Sequence, residues 1–288
     1  VGPEGPLRLA GTLASVAITR VERGRARKVM ARRWDGDRST RLSESLVVEE
    51  PLEIHVDCTL AATTMRTPGH DFELAAGFCV GEGWLGAGGV ETVRYCGTGS
   101  AVETEFNVVS VDRREPCPEV QPRIGPTTSS CGWCGTAGTA QLLERYEPIP
   151  PVAVPASVVA AVGERVRVRQ ELFGLTGGSH AAASFSADGT VRHVREDIGR
   201  HNAVDKLLGR DVLDGSAPEP GDGAGLFVSG RASFELVQKA WAGGFSVMVA
   251  VSAPSALAVA TAEAAGLTLV AFARDERLTV YAGELSSP

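Results

Sequence analysis

Several common signatures are missing from this chain of 288 residues. No run approaches the roughly 18 apolar residues that span a bilayer, and the opening VGPEGPLRLA lacks the basic-then-apolar order of a secretion signal. A cytoplasmic protein with no membrane partner is therefore expected. There is no basic excess either: 28 Lys and Arg stand against 35 Asp and Glu, for a net charge of -7, which argues against nucleic acid as a partner. Six cysteines are too few for a disulfide framework at this length. HVDCTL, GFCVGEG and VRYCG place Cys58, Cys79 and Cys96 in apolar or strand-like runs, where buried small side chains are expected. Cys117, in REPCPEV, is expected to be exposed. No G-x-x-x-x-G-K-[ST] is present and no G-x-G-x-x-G follows a strand, so neither a P-loop nor a dinucleotide fingerprint is available. Internal repeats are also missing.

What is present is an ordinary apolar fraction, 43%, enough for a substantial core. The first forty residues are weakly patterned. Within them, residues 19–33 hold seven arginines and lysines, a run that reads as a solvated strand or arm, with docking of an acidic partner or cofactor as the alternative. An N-terminal α+β lobe is expected over residues 1–112: strands in SLVVEEPLEIHVDCTL, a helix in DFELAAGFCVGEGWLG capped by Asp71, then strands in VETVRYCG and VETEFNVVSVD. Residues 113–138 carry prolines at 116, 118, 122 and 126 and read as a long mobile loop ending in TSSCGWCGTAG. Residues 139–288 alternate strands and helices. Helix over 157–174, a hairpin turning at Asp188-Gly189, the helix GRHNAVDKLLGR, and then strand, helix, strand, helix, strand, strand predict an α/β lobe with a mixed sheet.

In such a sheet the segments leaving the carboxyl ends of strands line one edge, where ligands bind. Those segments are SGRASFE, VSAPSAL and FARDER, joined by REDIGRHN. Ser229, Gly230 and Arg231 offer amides, a hydroxyl and a guanidinium suited to phosphate, and Ser252 and Ser255 flank a second helix start. Each of these also serves as an ordinary helix cap when taken alone. Together at one edge they predict a nucleotide-like ligand, with Arg274 and Arg277 framing Asp275 and Glu276 at the third exit. His180, between a Gly-rich turn and a small-residue strand, is the histidine expected to act; His55, His70 and His193 read as structural. Asp197 is expected to cap the following helix, and His201 and Asp205 are spaced to pair on its surface.

Cys131 and Cys134 form a CxxC. This spacing lets one thiol attack the other, and CxxC motifs can lower the pKa of one thiolate. Three readings stay open on the residues alone: thiol or persulfide chemistry, metal binding, or a structural role. A structural zinc site wants a second cysteine or histidine pair, and none is spaced for it. A thioredoxin-like site would open a helix after a strand, whereas this one follows a Pro/Thr/Ser loop. The runner-up functions are accordingly a zinc-stabilised chaperone module and a dithiol oxidoreductase.

TSSCGWCG, TGGSHAAA, REDIGRHNAVDKLLG, SGRASFELVQKA, LTLVAFARDERLTVY and, nearer the start, MRTPGHDFELAAGF together resemble the formate dehydrogenase accessory sulfurtransferase family, FdhD. The resemblance implies a sulfur carrier that takes sulfur from a cysteine desulfurase as a persulfide. It further implies delivery to the molybdenum or tungsten bis-molybdopterin guanine dinucleotide cofactor needed by the formate dehydrogenase catalytic subunit. GDP would mimic that cofactor. A homodimer with a cytidine-deaminase-like core is implied as well. Cys131 falls on the family's persulfide cysteine, Cys134 on its second thiol, and Phe272, Ala273, Arg274, Asp275, Glu276 and Arg277 on its cofactor-binding stretch. Deaminase catalysis is not expected, because the histidine motif reads His180-Ala181-Ala182 with no glutamate and the CxxC precedes it.

Overall fold

The computed structural model describes residues 24–85, 89–95, 100–114, 120, 142 and 144–287. Cys96, Cys117, Cys131, Cys134 and nearly all of the expected CxxC loop lie outside the described residues.

The chain opens on a two-stranded ribbon, β1 (Ala26–Asp35) and β2 (Arg38–Val47), in register from Ala26↔Val47 to Asp35↔Arg38. The basic run at residues 19–33 reads in sequence as a solvated strand or arm; from Ala26 it is a strand, and its pairing with β2 is the part the sequence did not show. Neither face of the ribbon carries a run of large apolar residues, so the period-2 signal that marks a strand in sequence is faint. Next, β3 (Glu50–Val56), β4 (Thr59–Arg66), β5 (Val90–Tyr95) and β6 (Val108–Arg113) form a four-stranded sheet in the order β4-β3-β6-β5. The expected N-terminal strands are thus found, except that Val102–Phe106 turns rather than extends. Helix α1 (Asp71–Gly81) covers one face of this sheet, burying Leu74, Ala75, Phe78 and Cys79 against Leu52, Ile54, Val109 and Val111. Cys79 is fully buried, and burial pushes its thiol up to about 12. Cys58 departs from expectation: it is exposed, in a two-residue turn where Asp57 and Cys58 both have positive φ (46° and 67°). That conformation closes a tight hairpin and turns the side chain to water.

Asp71 does not cap α1. Its carboxylate accepts from Arg66 Nε (3.1 Å) and Nη2 (3.0 Å) and from the Tyr95 hydroxyl (3.2 Å). A buried guanidinium requires a fork-shaped acceptor, and Asp71 supplies one.

The second half contains β7 (Val154–Pro155), α2 (Ala156–Arg167), α3 (Glu171–Thr176), β8 (His180–Phe185), β9 (Val191–Asp197), α4 (Arg200–Leu213), β10 (Gly225–Val228), α5 (Phe234–Ala242), β11 (Val247–Ala250), α6 (Ala256–Ala265), β12 (Thr268–Arg274), β13 (Arg277–Ala282) and β14 (Leu285–Ser286). Six of these strands make a mixed sheet ordered β13-β12-β11-β10-β8-β9, in which β10, β11 and β12 run parallel. Alternate side chains serve the two faces, as a pleated strand requires. Leu226, Val228, Met248 and Ala250 pack under α4, α5 and α6, while Phe227, Val247 and Val249 meet α2.

The two sheets are joined through α1 and α4, which cross at glycines. A Cβ built on Gly77 would lie 1.8 Å from the Asp205 carbonyl oxygen, and one on Gly209 would lie 1.8 Å from that of Glu73. Around this crossing sits a buried polar seam. The Asp197 carboxylate accepts from the Thr67 amide (3.0 Å), the Gly199 amide (2.8 Å) and Asn202 Nδ2 (3.2 Å), and lies 2.7 Å from Lys206 Nζ. Lys206 Nζ also donates to the Thr67 carbonyl at 2.7 Å. At the rim, Glu73 is partly desolvated, yet hydrogen bonds from Arg195 and His70 outweigh that and hold its carboxyl at about 2.

Candidate functional site

The topology puts the carboxyl ends of β9, β10, β11 and β12 at one edge, together with the start of β8, where His180 pairs with Asp197. The four segments predicted to line one edge therefore do so. On the α2 side of that edge lies a cleft of about 600 Å³, within the size range of small-ligand sites. Its sheet wall is formed by His180, Phe227, Ser229, Val251 and the run Ala273, Arg274 and Asp275. The opposite wall comes from Ala160, Gly163, Glu164 and Arg167 of α2, with Gln170, Phe173 and the turn Gly177 to Ser179 closing one end.

Ser229 is the joint of this wall. Its Oγ accepts from the Ala181 amide at 2.9 Å and lies 3.4 Å from His180 Nδ1, while its own amide donates to the Ala181 carbonyl at 2.9 Å. Gly230 follows closely: a Cβ there would sit 3.6 Å from the His180 ring and 3.7 Å from Arg200 Cδ. Burial, then the positive charge of Arg200, lower the pKa of His180 below its ordinary 6.5. The ring is therefore neutral at pH 7 and meets a ligand as a hydrogen-bonding group, not as a cation.

The remaining predicted residues are distributed around the cleft or away from it. Phe272 is 47% exposed with φ 51°, and Asp275 has φ 55°. A bulky residue in this region is strained, and the strain coincides with a β-bulge between Ala271 and Arg274. The bulge turns the Phe272 ring outward, 6.4 Å from that of Tyr281. Ser252 stitches strand ends together: its amide donates to the Gly230 carbonyl (3.2 Å) and its carbonyl accepts from Phe272 (3.3 Å). Ser255 caps α6 through the Ala258 amide at 3.1 Å. Arg231, Glu276 and Arg277 are exposed and none lines the cleft.

Asp197 has no exposed surface, so it holds the polar seam and faces no ligand. His201 and Asp205 do not pair with each other. His201 Nε2 lies 2.7 Å from a Glu235 carboxylate oxygen and Asp205 accepts from Lys239 at 2.6 Å, both partners lying on α5. Cross-helix partners in a packed core displaced the within-helix pair.

Two features of the site had no sequence signal. Glu196 accepts from the Leu172 and Phe173 amides (2.9 and 2.8 Å) and from Ser179 Oγ (2.9 Å). It thereby ties the first turn of α3 and the closing turn of the cleft to β9. The α2 wall, with Arg167 and Glu164, looks in sequence like any solvated helix face.

Among the described residues, no three His, Cys, Asp or Glu side chains are grouped to hold a metal ion, and no helix is long and apolar enough to cross a membrane. A model of the FdhD/NarQ family matches residues 47–286. The chain belongs to this family. Among relatives, the sulfur carrier protein FdhD of Streptomyces avermitilis is 48% identical over 269 residues, covering 90% of this chain and 94% of that protein. The sulfur carrier protein FdhD of Mycolicibacterium paratuberculosis is 48% identical over 246 residues, covering 83% and 90%. Among solved structures, one assigned to a formate dehydrogenase accessory protein from Desulfotalea psychrophila superposes with a TM-score of 0.73 at 23% identity, covering 90% of this chain and 98% of that one. That likeness establishes the shared α/β architecture.

Proposed function

We propose that this FdhD/NarQ family protein carries sulfur as a persulfide on Cys131 and delivers it to a molybdenum or tungsten bis-molybdopterin guanine dinucleotide destined for formate dehydrogenase. The cysteine desulfurase donates the sulfur: the Cys131 thiolate attacks the terminal sulfur of the donor persulfide, and the donor leaves as its thiolate. Discharge then leaves Cys131 as a thiolate. If Cys134 instead attacks Cys131 Sγ, hydrosulfide departs and a Cys131–Cys134 disulfide forms, which a dithiol must reduce. The naming of relatives 48% identical over 83% to 90% of the chain as sulfur carriers is what carries this reading. The matched region encloses both cysteines.

The cleft supports the nucleotide half of the reading. It offers the Arg274 and Arg167 guanidiniums for phosphate, the Ser229 hydroxyl and a neutral His180, and the exposed Phe272 ring, one residue before Ala273 of its wall, is available as a stacking surface. We read the cofactor as substrate held at this strand edge. A cytoplasmic homodimer with a deaminase-like core, no longer equipped for deamination, belongs to the same proposal.

The test is loading with cysteine and a cysteine desulfurase, followed by intact and peptide mass measurement without reductant. One added sulfur is expected on the peptide bearing Cys131 and Cys134. Cys131→Ala is expected to abolish that label while leaving GDP affinity unchanged. Arg274→Ala is expected to weaken GDP binding by about tenfold, the scale of one charge-assisted contact, with loading intact. Loading retained in Cys131→Ala, or stoichiometric zinc on the two cysteines in place of sulfur, would overturn the carrier assignment; steady turnover of their disulfide with a thioredoxin would make the protein an oxidoreductase instead.

A further inference from the structure

The ribbon β1–β2 takes no part in the cleft, and its two faces differ in kind. Paired residues share a face, so one face carries Lys28 beside Ser45, Met30 beside Ser43, Arg32 beside Arg41 and Trp34 beside Ser39. The other face carries the acidic residues of the strands: Glu44 takes Arg33 at 2.7 Å, and Asp35 sits opposite Arg38. The first face thus holds three cations and no acid. Lys28, Arg32 and Arg41 make no ion pair or hydrogen bond among the described residues. Between them stand two large apolar side chains exposed to water, Met30 (69%) and Trp34 (63%).

Arg32 directly opposite Arg41 is an unfavourable arrangement, since like charges facing across a strand pair repel. A carboxylate placed between the two guanidiniums removes that repulsion and accepts from both. Lys28, Met30, Arg32 and Trp34 recur every second residue, about 6.6 Å apart, which is the same-face repeat of an extended peptide. The rest of the molecule is of opposite sign: residues 48–288 hold 30 Asp and Glu against 18 Lys and Arg. A long polyanion such as nucleic acid, or an anionic membrane, would extend past the ribbon against that acidic body. A short acidic segment confined to the ribbon would not.

We propose that this face of the ribbon docks an extended acidic segment of a partner protein, with carboxylates on Lys28 and the Arg32–Arg41 pair and an apolar side chain against Trp34. The ribbon roots beside the cleft. Val47 meets the closing turn, where a Cβ on Gly178 would lie 3.1 Å from Val47 Cγ1, and Arg25 donates to the Glu196 carbonyl at 3.4 Å. A partner held there is presented to the cleft mouth. The inference stands whether or not the protein carries sulfur.

The test uses the full chain and a fluorescent peptide of about twelve residues, the length of ribbon it would cover, alternating glutamate with serine around one central phenylalanine. Anisotropy is expected to show saturable binding at low salt that weakens as salt screens the contacts. Replacing glutamate by glutamine in the peptide should abolish it. The double variant R32E/R41E should lose about tenfold or more, and Trp34→Ala several-fold, with melting curves and GDP binding unchanged because all three side chains are exposed. Equal binding of the glutamine peptide, or undiminished binding by R32E/R41E, would overturn the proposal. So would tighter capture, through the same arginines, of an oligothymidylate of equal charge or of phosphatidylglycerol vesicles. A shift of oligomeric state in R32E/R41E without loss of peptide binding would assign the face to a second copy of the chain.

Discussion

Gly209→Ala is expected to lower stability by about 3 kcal/mol, the upper end of the usual cost of overpacking, and to lower the melting temperature accordingly. The added methyl group would lie 1.8 Å from the Glu73 carbonyl oxygen, a backbone atom that cannot rotate away. Relief requires α1 and α4 to separate, which opens the Thr67–Asp197–Lys206 seam at the same time. Gly77→Ala should behave alike from the facing helix. The same chemical change at Gly174, where nothing lies within 4 Å, should be neutral or stabilising, because alanine is the better helix former. Urea unfolding of the three variants followed by circular dichroism decides the matter. A Gly209→Ala midpoint equal to that of the parent would mean that the helices do not cross at this distance.

Asp197→Ala is the second large effect, about 3 to 5 kcal/mol, the usual result of stripping one member from a buried ion pair. Lys206 is entirely buried, and without Asp197 its ammonium keeps only the Thr67 carbonyl among its two closest partners. Burial already lowers the pKa of Lys206, and removal of the carboxylate lowers it further. The sign of the pH dependence follows. The unfolded chain binds the lysine proton up to about pH 10.5, whereas the folded variant sheds it sooner. The penalty is therefore largest at neutral pH and shrinks as pH rises toward 10.5. Lys206→Met should cost less, because Asp197 keeps three N–H donors, and the double variant should recover part of the loss. Stability curves at pH 7 and pH 9.5 test this; a penalty that grows with pH would contradict the assignment.

Much of this architecture was legible in the chain. Strands with alternating β-branched residues and helices with spaced alanines and leucines announced themselves because burial selects those patterns. The strand-edge placement of Ser229, Gly230 and Arg274 followed from topology alone. What escaped was decided by tertiary partners. Nothing local distinguishes Arg167 facing a cleft from Arg169 donating to the Val191 and Arg192 carbonyls of β9. Glu196 acts across 23 to 24 residues on amides it cannot be seen to reach in sequence. His201 and Asp205 each chose a partner on α5, and Asp71 gave up a cap for a buried guanidinium. The first strand of the ribbon was within the reading of a solvated strand or arm, but its pairing was not, because its exposed face alternates cations with Met30 and Trp34 and carries no apolar stripe to mark a partner.

The two described cysteines have unequal chemistry. With its thiol near 12, Cys79 is ionised to only about one part in ten thousand at pH 8, and it is sealed from reagents besides. Alkylation of the folded protein should therefore pass over Cys79 while marking Cys58, and Cys79 should react only as the N-terminal sheet comes apart from α1. The molecule thus contains a built-in clock for its own local unfolding, which iodoacetamide pulse labelling can read at a single residue, and which runs silently beneath whatever sulfur traffic the other cysteines conduct.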